Sequence, residues 1–255
     1  MFDWGAYTLF LYILMRMSGF IAFNPLFSRN GIPRVFLAGL IGMLSIGVFY
    51  MFPGSVAMPS NLWEFGFRAL SELGIGFILG MVFRFFFYIV EHAGETIDTQ
   101  MGLSMARMYD PGSRVQLTVT ANMLNTMMIL LFFAENGHLT LLRLMMTSGE
   151  IVPFGQATFG IHLIERILEL FAECAILAVK LGLPILGAEM MGQVGMGVLN
   201  KVIPQINVFV INIDLKVLVG FGMLLLLMTP IGNLILEAET LMLREMRSLL
   251  AMMRS

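Results

Sequence analysis

Cys174 is the only cysteine in the chain, so no internal disulfide can brace the fold. It lies in an apolar helical run and reads as a small packing residue. Charge is scarce as well: 13% of the 255 residues are charged, about half the ~25% of an ordinary soluble domain. A net charge of −2 gives no case for nucleic acid as a partner. His92, His138 and His162 are far apart and share no metal-ligand spacing. His-Glu-x-x-His, Cys-x-x-Cys, Gly-x-Ser-x-Gly and Walker patterns are missing too. No metal, cofactor or catalytic residue is therefore expected. A basic leader is also missing: the N-terminus has Asp3, and the first apolar run, 4–27, is too long for a cleavable signal and has no obvious small-x-small site. That run is expected to stay as an anchor.

What is abundant is apolar surface. The chain is 58% hydrophobic, with a mean hydropathy of +0.86. The expected class is an all-α, polytopic membrane protein. Membrane strands would alternate polar and apolar residues, and 225–231 does not alternate. Six runs approach the ~20 residues a helix needs to cross ~30 Å of hydrocarbon: 4–27, 35–52, 65–90, 115–134, 161–186 and 215–236. The run 139–146 is too short to span. The Gly- and Met-rich stretch 187–210 reads as buried but interrupted. Asn24-Pro25, Gly31-Ile32-Pro33, Pro53-Gly54, Met58-Pro59, Asp110-Pro111-Gly112 and Pro153 punctuate the boundaries. Pro230-Ile231-Gly232 should bend or end the last run.

Topology is in tension. Arg29 and Arg34 place the first loop inside, and the uncharged second loop fits outside, so the N-terminus is outside. Arg244, Arg247 and Arg254 ask for a cytoplasmic C-terminus. That combination requires an odd number of crossings, so one run fails to cross or 187–210 re-enters. Charges are also misplaced. Arg16, Glu72, Arg84, Glu165, Glu169, Glu173, Lys180, Asp214 and Lys216 lie in or beside apolar runs, where a central charge costs roughly 2.5–3.5 kcal/mol. The expectation is a subunit whose charges are sheltered by unlike neighbours or face a watery path.

Several features could carry chemistry. Glu165, Glu169 and Glu173 share one helix face; they read as a face paired to basic groups or lying in water, or as a proton or cation path. Gly76-Phe77-Ile78-Leu79-Gly80 is a GxxxG, which marks a closely packed helix. The 24 methionines read as flexible packing, or as a deformable seal that can repack around varied shapes. The stretch from Gln100 through Met101-Gly102-Leu103-Ser104-Met105-Ala106-Arg107-Met108-Tyr109 to Asp110-Pro111-Gly112 is too polar and too broken to cross lipid. Its backbone groups need protein or water. Asn200, Gln205, Asn207 and Asn212 set hydrogen-bonding amides among bulky apolar residues.

These stretches resemble the FliR family, the export-gate subunit of bacterial flagellar type III secretion. The resemblance is carried by Gln100-Met-Gly-Leu-Ser with Asp110-Pro111, by Asn136-Gly137-His138, and by Asn200-Lys201, Pro204-Gln205-Ile206-Asn207, Lys216 and Gly220. It runs over nearly the whole chain; the injectisome counterpart is a close relative. The resemblance implies a FliP-like half, 1–158, followed by a FliQ-like half, 159–255, divided near 155–161. It implies assembly with several FliP-like and FliQ-like subunits into a helical ring around an export channel raised above the plane expected from hydropathy. It further implies FlhB-like and FlhA-like partners, unfolded export substrates, and residence in the bacterial inner membrane at the flagellar basal body. Met105, Ala106, Arg107, Met108 and Tyr109 match the family's pore plug, with Met105 and Met108 where relatives often carry Phe. Asp110, Pro111 and Gly112 match the turn after it. Asn200, Lys201, Pro204, Gln205, Asn207, Asp214, Lys216, Glu165, Glu169 and Glu173 are the expected assembly contacts. No cofactor is implied. A small-solute transporter is the rival class, with 192–197 as a broken-helix candidate but no matching repeat; a membrane enzyme has the least support.

Overall fold

The computed structural model describes residues 4–27, 32–52, 54–103, 118–203 and 208–254, with the backbone alone for 208–211. Among these, eight helices follow one another: α1 (Trp4–Phe23), α2 (Arg34–Met51), α3 (Leu62–Gln100), α4 (Val119–Ala134), α5 (Gly137–Ile151), α6 (Ile161–Val202), α7 (Val208–Leu226) and α8 (Met228–Met252). The one β-type contact among the described residues is an isolated antiparallel bridge between Ala157 and Arg254. The chain is an all-α polytopic membrane protein: α1, α2, α3 and α6 are each long and apolar enough to cross a bilayer, and the bent pairs α4–α5 and α7–α8 raise the candidates to six.

Two helices exceed a span. Helix α3 has 39 residues and α6 has 42. At 1.5 Å per residue these reach up to about 58 and about 63 Å, roughly twice the ~30 Å hydrocarbon layer. Much of each must lie outside hydrocarbon, which removes part of the penalty for the charges they carry.

The chain forms two compact units: Met1–Phe86 with Asn136–Phe171 and Glu239–Ser255, and Phe87–Glu135 with Ala172–Ala238. In the first, α1 and the opening half of α3 cross in backbone contact. A Cβ at Gly76 would overlap the Arg16 carbonyl and the Phe20 amide, and one at Gly19 would overlap the Leu73 carbonyl. The GxxxG thus packs α3 on α1 within this chain, with Gly80 against Phe23. Tyr12, Ile13, Met17, Leu79, Val82 and Phe83 form the buried layer around the crossing. The end of α8 joins this unit: Met246, Leu249, Leu250 and Met253 are buried, and the Thr158 amide donates to the Met253 carbonyl at 3.1 Å.

In the second unit, the later half of α3 touches α4 where Gly94 meets Ala121, and approaches α6 where Ala93 and Ile97 face Gly182. The α7–α8 break falls at Leu227, with a 61° bend. Pro230 sits in the first turn of α8, where its missing N–H leaves no helical bond unmade. The expected bend at Pro230 is present, displaced to the residues just before it.

The stretch expected to be buried and interrupted, 187–210, departs from that expectation. Helix α6 runs on to Val202, and Met190, Met191 and Val194 are exposed on it. Glycine costs a helix only about 1 kcal/mol per residue, less than leaving backbone groups unpaired in apolar surroundings.

Candidate functional site

Arg16 on α1 is fully buried, and so is Glu72 on α3. Their Nε and Oε2 atoms lie 2.6 Å apart. The Arg16 Nη1 donates to Ser148 Oγ at 3.2 Å, its Nη2 donates to the Val152 carbonyl at 3.0 Å, and its Cζ stands 4.2 Å from the Phe154 ring centre. The Gly155 amide donates to the other Glu72 oxygen at 2.7 Å. Each guanidinium nitrogen and both carboxylate oxygens therefore hold a partner, as a buried ion pair requires. The network fastens the 152–155 turn between α5 and α6 onto α1 and α3. For these two charges it corrects the expectation of shelter by unlike neighbours or a watery path: Arg16 and Glu72 shelter one another. Arg84, Lys180 and Asp214 remain exposed.

A second cluster stands at the end of α3. Gly102 adopts φ +80°, a left-handed conformation that glycine takes without a Cβ clash. Around it the Leu103 amide donates to the Asp98 carbonyl and the Gly102 amide to the Thr99 carbonyl. This is a Schellman ending. The Asp98 side chain, itself buried, accepts the Thr120 amide at 2.8 Å and the Thr120 hydroxyl on its other oxygen. Thr118 caps α4 by accepting the Ala121 amide. The negative charge of Asp98 thus meets orphan donors at the positive end of α4. Gly94 lets the two backbones touch at Ala121, and Met101 fills a notch over Gly220 on α7.

The expected assembly residues divide. Glu165 pairs with His162 at 3.1 Å, and Glu169 with Arg166 at 3.2 Å, all on α6. Arg166 also reaches Glu245 of α8 at 3.0 Å. Glu173 is half-buried, Asn200 and Lys201 are exposed at the end of α6, and Lys216 is half-buried on α7. Lys216 exerts its charge on Glu189 of α6, a side chain 1% exposed whose Oε1 has no hydrogen-bond partner among the described residues. Pro204, Gln205 and Asn207 lie outside the described residues, as do Met105, Ala106, Arg107, Met108, Tyr109, Asp110, Pro111 and Gly112.

Sequence reasoning passed over Asp98, Thr120 and Glu189. The pattern Asp98 with Gly102, followed by Thr118 and Thr120, holds a helix stop and a helix start. That signal marks both ends of the intervening segment. Glu189 had none beyond being an acid in a Gly- and Met-rich run.

The profile described as "Bacterial export proteins, family 1" matches residues 7–240. The flagellar biosynthetic protein FliR of Bacillus subtilis (strain 168) is 29% identical over 248 residues, covering 95% of each chain. The protein of the same name from Escherichia coli (strain K12) is 29% identical over 230 residues, covering 88% of this chain and 86% of its own. The surface presentation of antigens protein SpaR of Shigella flexneri is 27% identical over 219 residues, covering 82% and 80%. The profile match begins in α1, ends in α8 and takes in the Arg16–Glu72 network and the Asp98–Thr120 pair on the way: the chain belongs to the bacterial export proteins, family 1.

Proposed function

We propose that this chain is a non-enzymatic, pore-forming core subunit of the flagellar type III export gate, which admits unfolded flagellar proteins across the bacterial inner membrane for flagellum assembly. The observation that carries the reading is end-to-end similarity to proteins named FliR, reaching 95% of both chains. Exposed apolar helix surface supports it. Only 11% of the spanning window of α2 is buried, and the last turns of α6 mix exposed Met190, Met191, Val194 and Val198 with exposed Gln193, Asn200 and Lys201. Lipid can cover the apolar face of α2, but the mixed surface of the α6 tail suits packing against a neighbouring helix.

In this reading residues 1–158 are the FliP-like half and 159–255 the FliQ-like half, and unlike FliP-like and FliQ-like chains complete the ring beside FlhB-like and FlhA-like subunits. Met105 to Tyr109 form the plug, followed by the turn at Asp110, Pro111 and Gly112. Asn200, Lys201, Pro204, Gln205, Asn207, Asp214 and Lys216, with Glu165, Glu169 and Glu173, make assembly contacts. The similarity to SpaR supports a second reading, an injectisome gate subunit.

Mass analysis of the intact complex from native membranes tests the proposal. Unlike helical chains together with flagellar components are expected. A stable monomer or homo-oligomer would overturn the gate reading, and injectisome components in their place would favour the second.

A further inference from the structure

Both tryptophans of the chain, Trp4 and Trp63, stand at one end of the first unit. Phe10 of α1 meets Phe49 of α2 edge-on at 5.8 Å, and Tyr12 of α1 stacks on Phe65 of α3 at 5.6 Å. These pairs bring the start of α1, the end of α2 and the start of α3 together. Trp4, Tyr7, Tyr50 and Trp63 share that level to within about 9 Å along the helices. They are 64%, 57%, 78% and 83% exposed. Further along, Phe23 of α1 meets Phe77 of α3 at 4.5 Å. Helices α1 and α3 therefore run in the same direction, and α2 returns between their levels from Arg34. Arg84 follows Phe77 by two turns, and both arginines are exposed. At 1.5 Å per residue, Arg34 is about 24 Å from Tyr50 and Arg84 about 32 Å from Trp63, which brackets the ~30 Å of hydrocarbon.

We propose that the flank formed by α1, α2 and the start of α3 takes lipid rather than a partner chain, with Trp4, Tyr7, Tyr50 and Trp63 in one headgroup layer and Arg34 and Arg84 in the other. The inference rests on the membrane class of the fold and not on the gate reading. Tryptophan and tyrosine carry an apolar body and a polar tip, which suits the edge of the hydrocarbon. Arginine stems lie along apolar surface while the guanidinium reaches the headgroups. Arg84, a misfit within an apolar run, thus sits where a charge costs little. Between the two levels the outward side chains are apolar: Phe36, Met43 and Ile46 on α2, Phe67 and Leu70 on α3. Residues 35–50 hold no charge. Glu64 and Arg68, near the aromatic end, pair with each other. A protein partner gives no reason for aromatics to gather at one level and arginines at another, whereas a bilayer imposes both. The start of α6 marks where this flank stops. Phe159 lies against Gly74 and Phe171 against Phe85, so the first turns of α6 fall between the same levels. There His162, Glu165 and Glu169 are exposed. Lipid therefore covers one flank, and the α6 face is left to water or a neighbour.

The test uses the chain in the complex recovered from native membranes and reconstituted into phosphatidylcholine vesicles. Its readout does not depend on which partners accompany the chain, so it fails or succeeds apart from the gate reading. The difference in emission between the parent and a Trp4→Phe, Trp63→Phe double variant isolates the two tryptophans. Quenchers are placed on the headgroup, high on the acyl chain, or at its end, and iodide is added in water. Independently, a nitroxide at Met43→Cys in a Cys174→Ala background is read for access to oxygen and to a water-soluble nickel chelate, with Cys174→Ala alone as the blank. Met43 is 75% exposed, so this label does not depend on the tryptophan variants assembling. Headgroup and upper-chain probes are expected to quench at least twofold more than the chain-end probe, and the label to be open to oxygen and closed to nickel. Quenching by iodide without response to any lipid probe would put the aromatic end in water. Shielding from lipid and iodide alike would put a partner chain on it. Either result overturns the proposal, as does a label at position 43 that nickel reaches or that neither reagent reaches. Strongest quenching from the chain-end probe would overturn the assigned levels.

Discussion

Among the described residues, Glu72 is the counter-charge paired with Arg16, so removing it strands a guanidinium at full burial. Truncating one member of a buried ion pair costs about 3–5 kcal/mol, whereas replacing both with apolar groups of similar volume is often neutral. Glu72→Ala is therefore expected to lower the unfolding midpoint in detergent and the amount of chain in the membrane. The double change Arg16→Met with Glu72→Leu should recover part of the loss, since it removes the stranded charge but leaves the Val152 carbonyl and the Gly155 amide without these partners. Equal stability of Glu72→Ala and the parent would show that the pair contributes nothing. The two charges were legible as misfits in apolar runs. Their pairing was not, because 56 residues separate them and the remaining partners, Ser148 and Val152, come from over 130 residues away in sequence. A lone sequence marks where a charge is out of place, but not which fold partner answers it.

Helices in this chain meet through glycine where backbones touch, and one helix supplies its own control. On α3, a Cβ at Gly76 would strike the Arg16 and Gly19 backbone, which cannot swing aside, while a Cβ at Gly66 meets nothing within 4 Å. The same substitution should thus act in opposite directions two to three turns apart. Gly76→Ala is expected to destabilise by about 1–3 kcal/mol through overpacking. Gly66→Ala should be neutral or stabilise by up to about 1 kcal/mol through helix propensity. Thermal unfolding of the two variants in one detergent decides it, and equal midpoints would dismiss backbone contact at the crossing. The GxxxG at Gly76 and Gly80 was readable as close packing, since small residues at that spacing serve little else in an apolar helix. The continuity of α6 was not readable. Its glycines look like breaks in isolation, but hydrogen bonding along the helix outweighs their small individual cost. The Asp98–Thr120 contact was hidden for a different reason: a helix stop and a helix start can be found separately in sequence, while their meeting is a product of the packing of α3 on α4.

At the scale of the whole molecule, the distribution of exposure argues that the chain is a component. Internal needs are met where they are most severe, at Arg16 and Glu72. Apolar surface stays open on most of the helices, including α2, the start of α3, α7 and the tail of α6. Lipid can cover a purely apolar face, but the α6 tail alternates large apolar side chains with Gln193, Asn200 and Lys201. Hydrocarbon gives those polar groups no partners, whereas a neighbouring helix can supply hydrogen bonds as well as packing. Val194 tests the difference because it is 70% exposed in this chain. An arginine there disturbs no internal contact, so the isolated chain should insert and unfold as the parent does. Against a packed unlike subunit the same arginine buries a charge without a counter-ion, and such interface truncations and clashes typically cost at least about 2 kcal/mol. Val194→Arg is therefore expected to reduce recovery of the hetero-oligomer by roughly thirtyfold or more, the factor to which about 2 kcal/mol corresponds, with chain levels in the membrane unchanged. Full recovery of the complex would remove the α6 tail from the interface. Loss of the chain itself would show that Val194 supports the subunit's own fold, against its exposure.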